Sequence, residues 1–246
     1  MLCIQSGKQR STRLYCAATG YVSSPYPKNN FILNSRFDTT LAGCGKSILA
    51  SSIIDSITST RNVIFYYCDY ADKRTLDPAN VFGTLARQIL EKLERIPETL
   101  ASDIESADHD GERMIEQSKA LDILQHACAI SSSPLYIILD GLDEVREGSQ
   151  KLICNAMSRL CTKSSLQIKL LVTGREELGP LFSLAPTVTF LRVPISPAII
   201  TPDIDNYVRA STRRRIKHGA LVIQDPDLER LIVQELVEGA KGMLVL

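Results

Sequence analysis

The 246-residue chain has no charge excess: 28 basic residues balance 28 acidic ones. Composition therefore supplies no bulk attraction to nucleic acid or to an acidic partner. Its seven cysteines, Cys3, Cys16, Cys44, Cys68, Cys128, Cys154 and Cys161, include no close Cys-x-x-Cys pair. Odd-numbered, scattered thiols among apolar residues argue against a disulfide framework and for a reducing, cytoplasmic setting. The three histidines lack ligand spacing, which argues against a structural zinc site. No apolar run is long enough to cross a bilayer. The first twenty residues also lack the continuous apolar stretch of a secretory signal. They are basic and poor in acids, so a mitochondrial leader stands as a minor alternative to an irregular one.

What is present is a hydrophobic fraction of 44%, ample for a buried core. The length suits one large domain, or one domain with a small appendage. Residues 1–38 show no sustained period, and residues 21–30 are rich in turn formers, so this part reads as an irregular leader.

From Gly45 onward the pattern sharpens. Residues 47–60 read as a helix, with Ile48, Leu49, Ile53, Ile54 and Ile57 available for one side. The β-branched and aromatic run 62–70 predicts a strand. Asp77 and Pro78 predict the cap and first position of a helix carrying Val81, Phe82, Leu85, Ile89 and Leu93. The acidic stretch 97–113 reads as a loop or weak helix, and 115–131 as a helix. Strands follow at 135–139, 168–173 and 188–193, with a helix over 149–162. After Pro202 the pattern turns helical over 203–217 and 226–240, the latter with Leu228, Leu231, Ile232 and Leu236 as its packing stripe. Strands separated by helices predict an α/β fold with a mostly parallel sheet.

Two segments carry the chemistry. Gly43-Cys44-Gly45-Lys46-Ser47 has the close glycines that let a backbone curl around phosphates. Lys46 adds a positive charge, Ser47 a magnesium-binding hydroxyl, and the helix start aims its amides at an anion. The pattern is incomplete, because Thr40 stands where the first glycine belongs. Residues 34–40 make a poor core strand, and Phe31-Ile32-Leu33 is short and distant, so the first strand is poorly matched. A chance turn before a helix is the bland alternative.

The second segment is Leu135-Tyr136-Ile137-Ile138-Leu139-Asp140, followed by Gly141, Leu142, Asp143 and Glu144. Asp140 stands at the carboxyl end of an apolar strand, where α/β sheets place ligands. A carboxylate there can hold magnesium, and Asp143 or Glu144 can position water. A solvated acidic loop is the alternative. Thr173-Gly174-Arg175 ends the next strand at the same edge. Arg175 can contact phosphate, or pair with Glu176 or Glu177 at the surface. Arg209, Arg213 and Lys217 share a helix face, and without an aromatic platform this basic run reads as solvated rather than as a nucleic-acid site.

Taken in order, these stretches resemble the NACHT-type signal-transduction ATPases, the STAND class of P-loop NTPases. The likeness is greatest to fungal NACHT proteins, whose NTPase segment is described as a nephrocystin-3-like N-terminal domain. GCGKSILASSIID (43–55) resembles the Walker A region, and 63–90 the next strand and helix. LYIILDGLDE (135–144) resembles an extended Walker B segment, and KLLVTGRE (169–176) a sensor strand that usually carries Ser-Arg where this chain has Gly174-Arg175. KGMLVL (241–246) is similar to the end of a family helix.

The resemblance implies a three-layer P-loop NTPase core over 39–195, preceded by the leader at 1–38 and followed by a partial helical subdomain over 196–246. It implies ATP, or GTP, with Mg2+. Gly43, Cys44, Gly45, Lys46 and Ser47 would bind nucleotide, and Ser47 and Asp140 the metal. Asp143, Glu144 and Arg175 would serve hydrolysis. Self-association through the NTPase domain follows from the same likeness. The winged-helix and repeat regions common in the family would lie beyond residue 246. Two readings result: a slow nucleotide-switch hydrolase, or a degenerate, non-catalytic interaction domain. A metabolic P-loop kinase is a weaker third, for lack of a recognisable acceptor site.

Overall fold

In the computed structural model the described residues are 31–37, 45–107, 115–163, 167–175, 189–192 and 197–241. Strands β1 (Phe31–Phe37), β2 (Asn62–Tyr67), β3 (Leu135–Asp140), β4 (Ile168–Arg175) and β5 (Thr189–Arg192) form one sheet in the order β2-β3-β4-β1-β5. Every described pair is parallel. Parallel neighbours need crossovers, and helices supply them: α1 (Lys46–Ile57), α2 (Pro78–Leu90), α3 (Glu98–Ala107), α4 (Gln117–Ile130) and α5 (Glu147–Lys163). The expected α/β class with a parallel sheet between helical layers is present.

The strands alternate in the way a sheet covered on both faces requires. One face, with Ile64, Tyr66, Leu135, Ile137, Leu139, Leu170 and Val172, packs under α2, α4 and α5. The other, with Val63, Ile138 and Leu171, packs under Ala50, Ile54 and Ile57 of α1. A period of two, applied to strands that are apolar throughout, produces both faces at once.

Several expectations need correction. The irregular reading of residues 31–37 does not hold, because β1 lies between β4 and β5, pairing Leu33 with Leu171 and with Leu191. Pairing on both sides satisfies the backbone of a segment whose side chains, Asn34-Ser35-Arg36, disguise it. Of the two readings left open for 97–113, a loop or a weak helix, residues 98–107 take the helical one, with Leu100 fully buried. The next helix, α6 (Pro197–Lys217), begins ahead of Pro202 and contains it. Burial of Ile200 and Ile204 on either side of the proline offsets the lost hydrogen bond.

The final helix, α7 (Pro226–Ala240), is capped by Asp225, whose side chain accepts from Asp227 N–H at 2.8 Å. Its packed face is Val233, Val237 and Ala240, against Ile200, Ile204 and Val208 of α6. The predicted stripe is thus misplaced: Leu228, Leu231 and Leu236 are exposed. The helix carries two apolar faces, and packing against α6 selects the smaller residues, which allow closer approach. On α1, Ile48 is likewise exposed, while Leu49 packs against the α6–α7 cluster.

Candidate functional site

Helix α1 positions the phosphate-binding segment. Its last turn runs directly into β2: Thr60 N–H and Arg61 N–H donate to the Ile57 carbonyl at 3.1 and 2.9 Å. Helix and strand therefore run in opposite directions, and α1 begins at the carboxyl edge of the sheet. A hydrogen bond of 3.0 Å between Ser51 Oγ and Tyr67 Oη ties the second turn of α1 to the end of β2. Gly45 opens the helix with φ 84° and ψ 21°, a left-handed conformation that favours glycine. Its carbonyl accepts from Leu49 N–H at 2.9 Å. Lys46 is half-buried and Ser47 exposed. Thr40, Gly43 and Cys44 lie outside the described residues.

Strand β3 delivers Asp140 to the same edge. Asp140 is 2% exposed, and a carboxylate that deep requires hydrogen-bond partners. Thr173 Oγ1 on the adjacent strand donates to Asp140 Oδ1 at 2.5 Å. The same hydroxyl accepts from Gly141 N–H at 3.0 Å. Sequence reasoning passed over Thr173; the signal available was a hydroxyl at the end of the strand next to Asp140.

Gly141 turns the chain away from the sheet with φ 71°. A Cβ there would stand 2.5 Å from the Cys68 carbonyl oxygen. Cys68 N–H donates to the Asp140 carbonyl at 2.8 Å, extending the β2–β3 pairing beyond the strands. The short 3-10 turn Leu142–Glu144 then carries the remaining acids. Gln150 of α5 secures it, Nε2 donating to the Asp143 and Val145 carbonyls at 3.3 and 2.6 Å.

The acids differ in surroundings. Glu144 Oε2 accepts from Tyr70 N–H at 2.6 Å, so this side chain holds the loop that follows β2. Burial nonetheless raises the Glu144 carboxyl above the usual range, and the charges of Asp143, Asp69 and Asp140 push the same way. Asp143 is half-buried. Burial, followed by Asp140, Glu144 and Asp143, lifts the Cys68 thiol to about 12. That thiol stays protonated, and with Cys128, Cys154 and Cys161 it belongs to a set of free, buried cysteines.

Asp140, Asp143 and Glu144 thus lie at the carboxyl edge of the sheet, the edge at which α1 begins with Lys46 and Ser47. Arg175 ends β4 there, in register with Phe37; its side chain lies outside the described part of the structure. Among the described residues, no group of three or more His, Cys, Asp and Glu side chains is arranged to enclose a metal. No described helix is long and apolar enough to cross a membrane.

The family model for Nephrocystin 3, N-terminal, matches residues 39–175, more than half of the chain. The chain belongs to the nephrocystin 3 N-terminal family. The matched segment contains Gly45–Ser47, Asp140–Glu144 and Arg175, and ends before β5, α6 and α7. No curated protein matches this family member. Among solved structures, Drosophila ORC bound to DNA is similar at 12% identity and a TM-score of 0.43, over 76% of this chain and 91% of that one. The Aeropyrum pernix ORC1 protein in complex with DNA is similar at 14% identity and a TM-score of 0.48. There the likeness covers 86% of this chain but only 56% of its counterpart. The Walker-type ATPase of Pyrococcus abyssi is similar at 12% identity and a TM-score of 0.46, over 98% of this chain and 63% of that one.

Proposed function

We propose that the chain binds a nucleoside triphosphate with magnesium and hydrolyses it slowly, as the nucleotide-switch module of a NACHT-type signal-transduction NTPase. One observation carries this reading. A buried, hydrogen-bonded carboxylate, Asp140, stands at the sheet edge where a left-handed glycine opens a helix with Lys46 and Ser47. A helix N-terminus attracts phosphate, and Lys46 adds charge that a helix alone does not provide.

The donor set fits magnesium. Asp140 and Ser47 offer hard oxygen ligands, the donor type suited to an ion that keeps waters and takes phosphate oxygens. Bound there, the metal would neutralise phosphate charge. Asp143 or Glu144 would position water; burial raises the Glu144 carboxyl above its usual range. Arg175 would contact phosphate. Gly43 and Cys44 would complete the cradle with Gly45.

In this reading the NTPase core spans 39–195 together with the β1 strand, and 196–246 starts a helical subdomain. ATP is preferred over GTP on resemblance alone, and competition between the two would decide. Cytoplasmic placement and self-association through the NTPase domain belong to the same proposal.

The polar run Asn34-Ser35-Arg36 in a strand flanked on both sides favours a second reading, a non-catalytic interaction domain. Binding of a fluorescent ATP analogue with and without Mg2+, after circular dichroism has shown a folded chain, separates the two. Saturable, magnesium-dependent binding that Lys46→Ala abolishes supports the switch. A folded chain that binds no nucleotide supports the interaction domain.

A further inference from the structure

Thr173 is 1% exposed, and its hydroxyl is used twice. It donates to Asp140 Oδ1 and accepts from Gly141 N–H. It sits on β4 one residue beyond the pair Leu139 and Val172, which places it beside Asp140 across the ladder. One hydroxyl therefore links a carboxylate on β3 to the first amide of the turn bearing Asp143 and Glu144. A buried carboxylate with a fixed hydrogen-bond donor has fewer orientations than a free one, and a ligand so oriented binds a cation more tightly.

We propose that Thr173 is a positioning residue for the metal-binding carboxylate. Its hydroxyl fixes the Asp140 carboxylate and, through Gly141, the start of the acidic turn. This rests on the magnesium–nucleotide reading of the site. Gly174 and Arg175 follow directly, so β4 supplies both the positioning hydroxyl and the arginine from one strand end. Valine in place of Thr173 keeps the shape and removes both hydrogen bonds. Serine keeps the hydroxyl and removes only a methyl group.

The test compares wild type, Thr173→Val and Thr173→Ser in the full chain. In Thr173→Val the Mg2+ concentration for half-maximal nucleotide binding should rise by about 10- to 100-fold. Magnesium-free nucleotide affinity should stay unchanged, and Thr173→Ser should restore the wild-type metal dependence. Amide hydrogen exchange at Gly141 should accelerate in Thr173→Val and not in Thr173→Ser. A general loss of packing would move metal-free and metal-dependent binding together. Should Thr173→Val fail to fold, Thr173→Ala takes its place in the same comparison.

A folded Thr173→Val variant with wild-type metal dependence and wild-type Gly141 exchange overturns the inference. A wild-type chain that binds no nucleotide overturns the proposed function instead. In that case Mn2+ titration, read by paramagnetic broadening of the Gly141 amide, decides the role of Thr173. Broadening at lower Mn2+ in wild type and Thr173→Ser than in Thr173→Val supports it, and equal or absent broadening overturns it.

Discussion

Gln88 pairs with Phe65 as a neighbouring strand would. Its Oε1 accepts from Phe65 N–H at 2.9 Å, and its Nε2 donates to the Phe65 carbonyl at 2.8 Å. Phe65 lies on β2, which is an edge of the described sheet. Lys92 Nζ donates to the Val63 carbonyl, two residues earlier on the same side of that strand, at 2.5 Å. Side chains from α2 and the turn after it thus occupy backbone groups that would otherwise template pairing with another chain.

Gln88→Ala should uncover the Phe65 backbone. The expected loss of stability is about 1–3 kcal/mol, the cost of leaving partly buried backbone groups without partners. Concentration-dependent association should accompany it, read by light scattering. A monomeric variant of unchanged stability would show that solvent satisfies this edge without help.

Gly141→Ala should be among the more damaging single-methyl changes. The added Cβ meets the Cys68 carbonyl oxygen at 2.5 Å, a backbone atom that cannot swing away. The left-handed φ of 71° adds strain of about 1 kcal/mol or more. Thermal denaturation should show a lowered midpoint, with magnesium-dependent nucleotide binding lost before the fold.

The two faces of α7 should respond oppositely to truncation. Leu231→Ala removes a side chain from a residue that is 56% exposed and should change stability by less than about 0.5 kcal/mol. Val233→Ala, at 1% exposure, deletes two methyl groups and should cost about 1–2 kcal/mol. Urea midpoints would check both. The reverse order would restore the stripe read from the sequence.

Glu144 should make stability fall as pH rises. Burial raises its folded-state pKa above the unfolded value of 4.5, so the folded chain holds this proton more tightly. Its contribution is fully present below the unfolded pKa and is lost as pH rises through the folded value. Glu144→Gln, which mimics the protonated form, should flatten that part of the stability–pH curve. Denaturant midpoints across the acidic to neutral range provide the measurement, and an unchanged slope would remove Glu144 as the cause.

Much of the fold was legible because its signals are local. The apolar run of β3, the Asp77–Pro78 start of α2 and the Pro226 start of α7 follow from propensity and capping. Asp77 caps α2 as expected, its side chain accepting from Ala79 N–H at 2.9 Å. The carboxyl-edge placement of Asp140 followed from the parallel topology. Thr173 did not, because its importance depends on which strand lies beside β3. The sequence separation of 33 residues between Thr173 and Asp140 hides their contact.

Residue identity alone determined the alternation of strand and helix, the apolar strand that ends in an acid, and the glycine that opens α1. Each depends on interactions within a few neighbouring residues. Only the tertiary structure decided that Phe31–Phe37 enters the sheet and that Val233 rather than Leu231 faces inward. It alone joined Thr173 to Asp140 and Gln88 to Phe65. Those outcomes depend on partners distant in sequence, since a backbone group or an apolar face is satisfied by whatever packs beside it.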